Sequence, residues 1–594
     1  MRYILTLFIL CLCATGTQAQ ETSSWVALDA LGRTLPTAEE CLLKTDKPRT
    51  VGIFYITWHT QNLHNGQPYT YDVTKLLEEN PMRAKGDPDF PYATYHWGEP
   101  EYGYFLSQDR YVCFHDLSML ADAGVDVLIM DVTNAVCYWD EWEVLFTTMQ
   151  EMKALGNKVP KFCFWAFNGN VIDVVQSLYE RFYKTPRYED CWFYWEGKPL
   201  LLYNATPSVD ANPNGGQKDK DYSEEVKQFF TLRNMWWGYK NWAGAPYVGG
   251  EDKWSFGYEL NDKNVAALTP EELCSKHQGR LEEMAVTPAQ HPISITGKSW
   301  RRETGEPELD DKDMPLEGKT QYGIYFQDRW DEALQVDPDF IYLNDWNEWT
   351  AGKYRNGKDP SGVADMHIDF LGRKDNPFYF VDQYNAEFNR TIAPMKGGWT
   401  DNYYMQMVQN IRRYKGVSPM PVHHGYQKIK LDGKLDEWQP DSSFIDTKGD
   451  VVHRDHNGYG NLHYTDESGR NDITRCLVSV DKKNVYFAVE TAAPLTPKTD
   501  PNWMLLLIDS DEDSSYEIVI KPGESDFPVA IGEKCLEIAV PRKLIEKSGK
   551  PGKEVSFRFK WADNPSDPND IISISTTGDT APNRRFAYQF VWKK

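Results

Sequence analysis

The sequence predicts an α/β protein: a (β/α)8 TIM-type barrel followed by an all-β sandwich. Three observations lead there. Apolar runs alternate with helical stretches from Thr50 to about Lys415. One helix-to-strand junction is explicit in "HDLSMLADAGVDVLIMD", where Gly124 reads as a helix C-cap with a strand directly after it. Beyond residue 425 the helical period fades and short β-rich runs take over.

The barrel strands are read in order from "TVGIFYITW" (50–58), "VDVLIMDV" (125–132), "KFCFWAF" (161–167), "PLLLYN" (199–204), "FFTLRNMWW" (229–237), "EEMAVTP" (282–288) and "FIYLNDW" (340–346). Near-continuous apolar runs suit strands buried on both faces, as in a parallel sheet. That makes seven; an eighth carries no clear signal. A doubly wound open sheet is the alternative, but no Gly-rich phosphate loop follows the first strand, so no organic cofactor is expected. The insertion after the first strand holds "PYATYHWGEPEYGYF" (91–105), with Glu99 and Glu101 among many aromatic rings. Long loops of this kind usually build the site of a barrel. "VSPMPVHHG" (417–425) reads as a linker. The sandwich is read from "NDITRCLVSVDKKNVYFAVET", "NWMLLLIDSD", "SYEIVIK", "CLEIAVP" and "VSFRFKWAD". The expected plan is a signal peptide at 1–19, a catalytic barrel at 20–416, a linker at 417–425 and a sandwich at 426–594.

Bulk properties narrow the function. A net charge of −24 with no basic cluster argues against nucleic acid as a partner. The start "MRYILTLFILCLCATGTQAQ" has a charged end, a short apolar core and small residues before Gln20. It predicts export, secreted or periplasmic, with cleavage after Ala19. No other segment is apolar and long enough to span a membrane. Of the 10 cysteines, Cys11 and Cys13 would leave with the signal. The rest show no zinc-type spacing. Aromatic residues make up 14% of the chain, with 21 Trp and 34 Tyr. Flat faces in that number suit a large core or a sugar-binding cleft.

The chemistry concentrates at 344–349, "NDWNEW", at the end of the last barrel strand. Acids at the carboxyl ends of barrel strands read as catalytic. Glu348 stands between Trp346 and Trp349, where desolvation would raise its pKa towards acid/base work. Asp345 suits either a turn cap or a second carboxyl. Asp131 continues the row Val125, Val127, Ile129, a place for a structural hydrogen-bonder or a catalytic acid. Glu99 is a further candidate. Glycoside hydrolysis needs two carboxylates about the scissile bond. Trp58, Trp165 and Trp349 offer ring platforms, and His59, Asn168 and Asn204 offer hydrogen bonds to hydroxyl groups at or just past strand ends.

These residues carry a resemblance. "NDWNEWTAGKY" resembles the "WNEW-x-E-G" signature of glycoside hydrolase family 99-like (WbsX-like) proteins through Asn347, Glu348, Trp349 and Gly352. The resemblance implies a (β/α)8 barrel and retaining endo-α-mannosidase chemistry. In that chemistry the first signature Glu assists the neighbouring 2-hydroxyl and the second is the acid/base. Glu348 matches the first; the second position is Ala351. "IKLDGKLDEWQP" (429–440) is similar to carbohydrate-binding module family 9-like (DOMON-related) sandwiches, which implies glycan binding and in some cases calcium. Asp509, Asp511 and Asp513 resemble a calcium loop by oxygen count, or form a solvated acidic turn. The reading is an exported glycoside hydrolase acting on a poly- or oligosaccharide; the alternative is a non-catalytic glycan-binding protein of the cell envelope.

Overall fold

The computed structural model describes residues 22–594, apart from 62–72, 85, 89–93, 207–219, 237–247, 292–293, 359–364, 367, 372, 374, 440–442 and 547–551. The expected signal peptide and the start of the aromatic insertion lie outside the described residues. No helix among those described is long and apolar enough to cross a membrane.

A nearly closed, mostly parallel sheet forms the first half. Its parallel strands are β1 (Thr50–Tyr55), β2 (Val127–Val132), β3 (Lys161–Ala166), β4 (Lys198–Tyr203), β5 (Thr231–Trp236), β6 (Lys253–Ser255), β7 (Arg280–Val286) and β8 (Phe340–Trp346). The spatial order is β7-β8-β1-β2-β3-β4-β5-β6. β1, β2 and β8 are buried at every position, which is why they read as unbroken apolar runs. β6 is the strand that the sequence does not announce. It has three residues, paired through Asn234↔Lys253 to Trp236↔Ser255, too few to show a period.

No backbone ladder joins β6 to β7 among the described residues; side chains bridge the gap. Ser255 N donates to Glu283 Oε2 (3.0 Å), and Trp254 Nε1 donates to Glu282 Oε2 (2.8 Å). Arg233 on β5 holds both oxygens of Glu282 at 2.8 Å. The acids that open "EEMAVTP" thus take the place of ladder bonds at the seam. Burial pushes the Glu283 carboxyl well up.

The helix before β2 spans Arg110–Ala123, and Asp109 caps its start by accepting from Tyr111 N. Gly124 ends it with φ +88°, the left-handed turn that glycine permits. Inside the barrel Trp165 meets Phe54, Phe256 and Tyr342 with ring centroids 5.2, 5.6 and 6.3 Å away. These rings plug the lumen beneath the carboxyl ends of the strands.

The second half is built from two sheets. Ser443–Ile445, Ile473–Val480, Asn484–Thr491, Cys535–Pro541 and Val529–Ile531 form one. The other contains Leu505–Asp509, Glu554–Asp563 and Tyr588–Lys593. They meet through rings, Phe444 on Phe559 (5.0 Å) and Phe487 on Phe557 (5.3 Å). The segment expected to be a linker is partly strand: Val422–His424 pairs in parallel with Val591 to Lys593. Its two prolines hide this, because the ladder starts just after Pro421. The segment expected to open the barrel also reaches the second half. Val26 bridges Ala587, and Trp25 packs on Phe586 and Tyr588. Cys41, Cys113, Cys137, Cys163, Cys191, Cys274, Cys476 and Cys535 are all free thiols.

Candidate active site

The six residues after Leu343 divide sharply in what they face. Asn344 Nδ2 donates to the Phe256 carbonyl (3.4 Å). Trp346 lies in the core against Tyr404. Asn347 takes φ +71°, a left-handed conformation that asparagine tolerates, and its Nδ2 donates to Asp116 Oδ2 (2.6 Å). Trp349 is buried, stacked on Trp97 at 4.9 Å, and its Nε1 donates to Asn347 Oδ1 (3.2 Å). Asp345 is fully buried, and its Oδ1 accepts from Thr391 Oγ1 (2.9 Å). Only Glu348 of the six reaches the cleft at the barrel mouth.

That cleft holds about 220 Å³ and is lined by Phe54, Ile56, Trp58, Asp131, Thr133, Asn134, Trp165, Asn168, Phe256, His291, Glu348, Val381, Asp382 and Arg390. Glu348 is 2% exposed. Its Oε2 accepts from Arg390 (2.6 Å) and from Gln383 Nε2. Its backbone is held too: Glu348 N donates to Thr391 Oγ1 (3.0 Å), and its carbonyl accepts from Trp97 Nε1 (2.7 Å). Burial pushes the Glu348 carboxyl well above the usual range. Arg390 opposes this, and the neighbouring Asp345 adds to it by charge and by sharing a hydrogen bond. Asp131, at the end of β2, accepts from Thr133 N (2.9 Å) and Thr133 Oγ1 (2.8 Å). Burial raises it to about 6 against those bonds. Asp382 is half-buried across from His291 Nε2 (3.6 Å). Burial, then the Arg390 charge, push His291 down.

The sequence candidates separate accordingly. Glu348, Asp131, Trp58, Trp165 and Asn168 come together at the cleft. Trp165 is fully buried and forms the floor rather than a platform open to solvent. Asp345 lies behind Glu348 with no exposed surface, 3.6 Å from Arg390 Nε, so it does not line the cleft and acts on Glu348 as a neighbouring charge. His59 is buried, with Nε2 2.6 Å from the Asn347 carbonyl; burial lowers it to about 4. It is a neutral donor that fixes the signature loop, not a group that meets hydroxyls. Asn204 is buried and caps the chain after β4, accepting from Thr206 N (2.9 Å). Trp349 is buried in the stack with Trp97, so its ring faces no cleft. Glu99 sits outside the cleft in a surface pair with Lys396 (2.8 Å). Ala351 is buried in a cluster with Tyr95, Phe370 and Phe380.

Asp382, Gln383, Arg390 and Thr391 were missed. They follow the strand Phe378–Val381 in "VDQYNAEFNRT", where polar residues carry no period. A small sheet connects them to the signature: Thr350–Arg355 pairs with Thr94–His96 on one side and Phe378–Val381 on the other.

Three groups of ligand atoms that suit a metal occur among the described residues, and none lines the cleft: Glu251, Asp252 and His277; Asp446, Asp450 and Asp579; Asp509, Asp511 and Glu517. The last brings Asp509 and Asp511 together with Glu517 rather than Asp513. Asp509 there accepts from Glu512 N (2.6 Å) and Ser514 N (2.8 Å), a hydrogen-bonded turn.

No family model matches this chain, and no curated protein matches it. Among solved structures it is similar to a GH99 endo-alpha-mannosidase from Bacteroides thetaiotaomicron in complex with BIS-TRIS-propane. That match has 13% identity, covers 62% of this chain and 97% of that one, and has a TM-score of 0.34. A second structure of a GH99 endo-alpha-mannosidase from the same organism has the same identity and coverage and a TM-score of 0.33. A "glycoside hydrolase-like protein" is similar at 12% identity over 55% of this chain and 93% of that chain, with a TM-score of 0.29.

Proposed function

We propose that this protein is a glycoside hydrolase that cleaves a poly- or oligosaccharide in the barrel-mouth cleft. The observation that carries this is a pair of buried carboxyls, Glu348 and Asp131. They come from the ends of separate strands, line one cleft and are both pushed up by burial. Such a pair is what acid/base cleavage of a glycosidic bond requires. In this reading Glu348, whose carboxyl burial shifts towards its protonated form, donates to the leaving oxygen. Asp131, ionised above about pH 6, acts on the opposite side of the bond. Asp382, more open than either, competes with Asp131 for that second role. Trp58 and Asn168 contact the sugar. Endo-α-mannosidase chemistry with its second signature Glu is not the form proposed, because Ala351 has no carboxyl. Export follows from the first 19 residues and belongs to the same proposal.

The second reading is a non-catalytic glycan-binding protein. One observation favours it: Oε2 of Glu348 is already held by Arg390 and Gln383, as in a structural ion pair. A panel of polysaccharides and aryl glycosides, offered to wild type and to Glu348→Gln, separates the two. Release of reducing ends by wild type alone supports the hydrolase. Equal glycan binding by both proteins, with no cleavage by either, supports the binder.

A further inference from the structure

The loop Asp446-Thr447-Lys448-Gly449-Asp450 follows the strand Ser443–Ile445, and Asp579 opens the strand Asp579–Ala581. One carboxylate oxygen from each of the three acids lies within 4.8 Å of the others. Asp446, Asp450 and Asp579 are 4%, 6% and 5% exposed. Both oxygens of Asp446, both of Asp450 and Oδ1 of Asp579 have no hydrogen-bond partner among the described residues. The sixth, Asp579 Oδ2, accepts from Ile473 N (2.6 Å). Buried carboxylates normally collect several donors, because losing water without compensation is costly.

The surrounding charges do not relieve the cluster. Lys560, also buried, donates to the Pro582 carbonyl and acts on Asp446 and Asp579 only through space. Asp472 adds negative charge beside Asp450 and Asp579, although its own oxygens accept from Gly449 N (3.0 Å). Asp122 and Asp563 add more, beside Asp446 and Asp579 respectively.

We propose that Asp446, Asp450 and Asp579 hold one calcium ion that fastens the C-terminal sheets to the barrel. The ion would bring two positive charges to three acids that no side-chain donor neutralises, with buried Lys560 reaching Asp446 and Asp579 only through space. The donor set is all oxygen, with no histidine or cysteine, which suits a hard cation. Calcium fits better than magnesium, because five carboxylate oxygens without a hydrogen-bond partner offer more protein ligands than magnesium, which keeps several waters, takes up. A cavity of about 180 Å³ lies beside Asp446, and one of about 30 Å³ lies beside Asp450 and Asp579. Asp122, on the barrel helix Arg110–Ala123, lines that same cavity. Asn583 Nδ2 bonds across the seam to Asp122 (3.4 Å) and, within the C-terminal half, to Thr447 Oγ1 (3.3 Å). The acidic turn at Asp509 differs in kind, since backbone N–H groups already fill its central carboxylate.

The test uses the full-length purified chain with calcium and magnesium themselves. After exhaustive dialysis, elemental analysis should find one calcium per chain. Chelator should lower the thermal midpoint. Calcium at a hundredfold excess over its dissociation constant should raise it again by roughly 2 °C, with magnesium far weaker. Asp446→Asn and Asp450→Asn should fold, since each removes a buried charge, but neither should retain calcium or respond to it. Asp511→Asn should behave as wild type. If the asparagine variants do not fold, the chelator and calcium response of wild type decides. The proposal is overturned if wild type holds no calcium and its midpoint ignores both chelator and millimolar calcium. Equal action of magnesium, or loss of calcium in Asp511→Asn alone, also overturns it.

Discussion

Two glutamates two positions apart make opposite predictions. Glu99 pairs with Lys396 at the surface, both side chains more than a third exposed. Glu101 pairs with Arg584 through two bonds of 2.7 and 2.9 Å, with side-chain exposures of 1% and 4%. The first pair is solvated and screened and is worth about 0–1 kcal/mol. Removing one partner of the second leaves a buried, uncompensated charge, which costs about 3–5 kcal/mol. Arg584→Met keeps most of the side-chain volume and removes the guanidinium, so it isolates that cost. Lys396→Met is the matched control. The assay is urea unfolding of full-length protein followed by tryptophan fluorescence and far-UV circular dichroism. Arg584→Met should lose several kcal/mol and Lys396→Met less than about 1. Adding Glu101→Leu to Arg584→Met should recover most of the loss, because the stranded charge is gone. If Arg584→Met matches Lys396→Met, the pair does not bind the two halves of the chain, and the reasoning fails. Residues 426–594 expressed alone would then also be expected to unfold independently of the barrel.

Other outcomes follow from the cleft. Glu348→Gln should lower turnover on any substrate found by about 10²–10⁴ while glycan affinity survives, measured by reducing-end release and calorimetry. Asp131→Asn and Asp382→Asn, compared on the same substrate, identify the second carboxyl: the more damaging change marks it. Asp131 also predicts a pH effect on stability. Its folded pKa, about 6, lies above the ordinary 3.8, so the native state binds the extra proton and this contribution fades as pH rises from about 4 through 6. Asp131→Asn should therefore gain stability relative to wild type at pH 7 but not at pH 3.5, by at most about 3 kcal/mol. Denaturant titrations at both pH values check it, and a gain equal at the two would discard the burial argument.

The strands that sequence made legible were those buried on both faces: β1, β2 and β8 are apolar at nearly every position, so their existence and order could be read directly. β6 escaped because three residues cannot display a period. At the site, Glu348 was legible from its chemistry between two indoles. What those indoles do was not, since Trp346 and Trp349 both turn inward. A strand-end motif shows which polar groups are unusual, but not which face the chain. Here the asparagines, Asp345 and His59 hold one carboxyl in place. Asp382 and Arg390 could not be foreseen, because nothing in the 344–349 stretch points to residues some 40 positions later. Long-range pairing supplied them, through the sheet that sets Gly352 opposite Val381.

That sheet has a consequence for how such a cleft varies. The chain leaves it after Arg355 and returns at Phe378, and the two ends are tied together where Asn356 N donates to the Pro377 carbonyl (2.9 Å). An excursion closed at its base by its own hydrogen bond can lengthen or shorten cheaply, since doubling a loop costs only about 0.6 kcal/mol of closure entropy. Asp382 and Gln383 follow directly on the returning strand, so their placement depends on that base and not on the length of the excursion. Insertions in the excursion would therefore leave Asp382 and Gln383 in place, provided Phe370 keeps its packing on Phe380 (5.0 Å) and Tyr384 (4.8 Å).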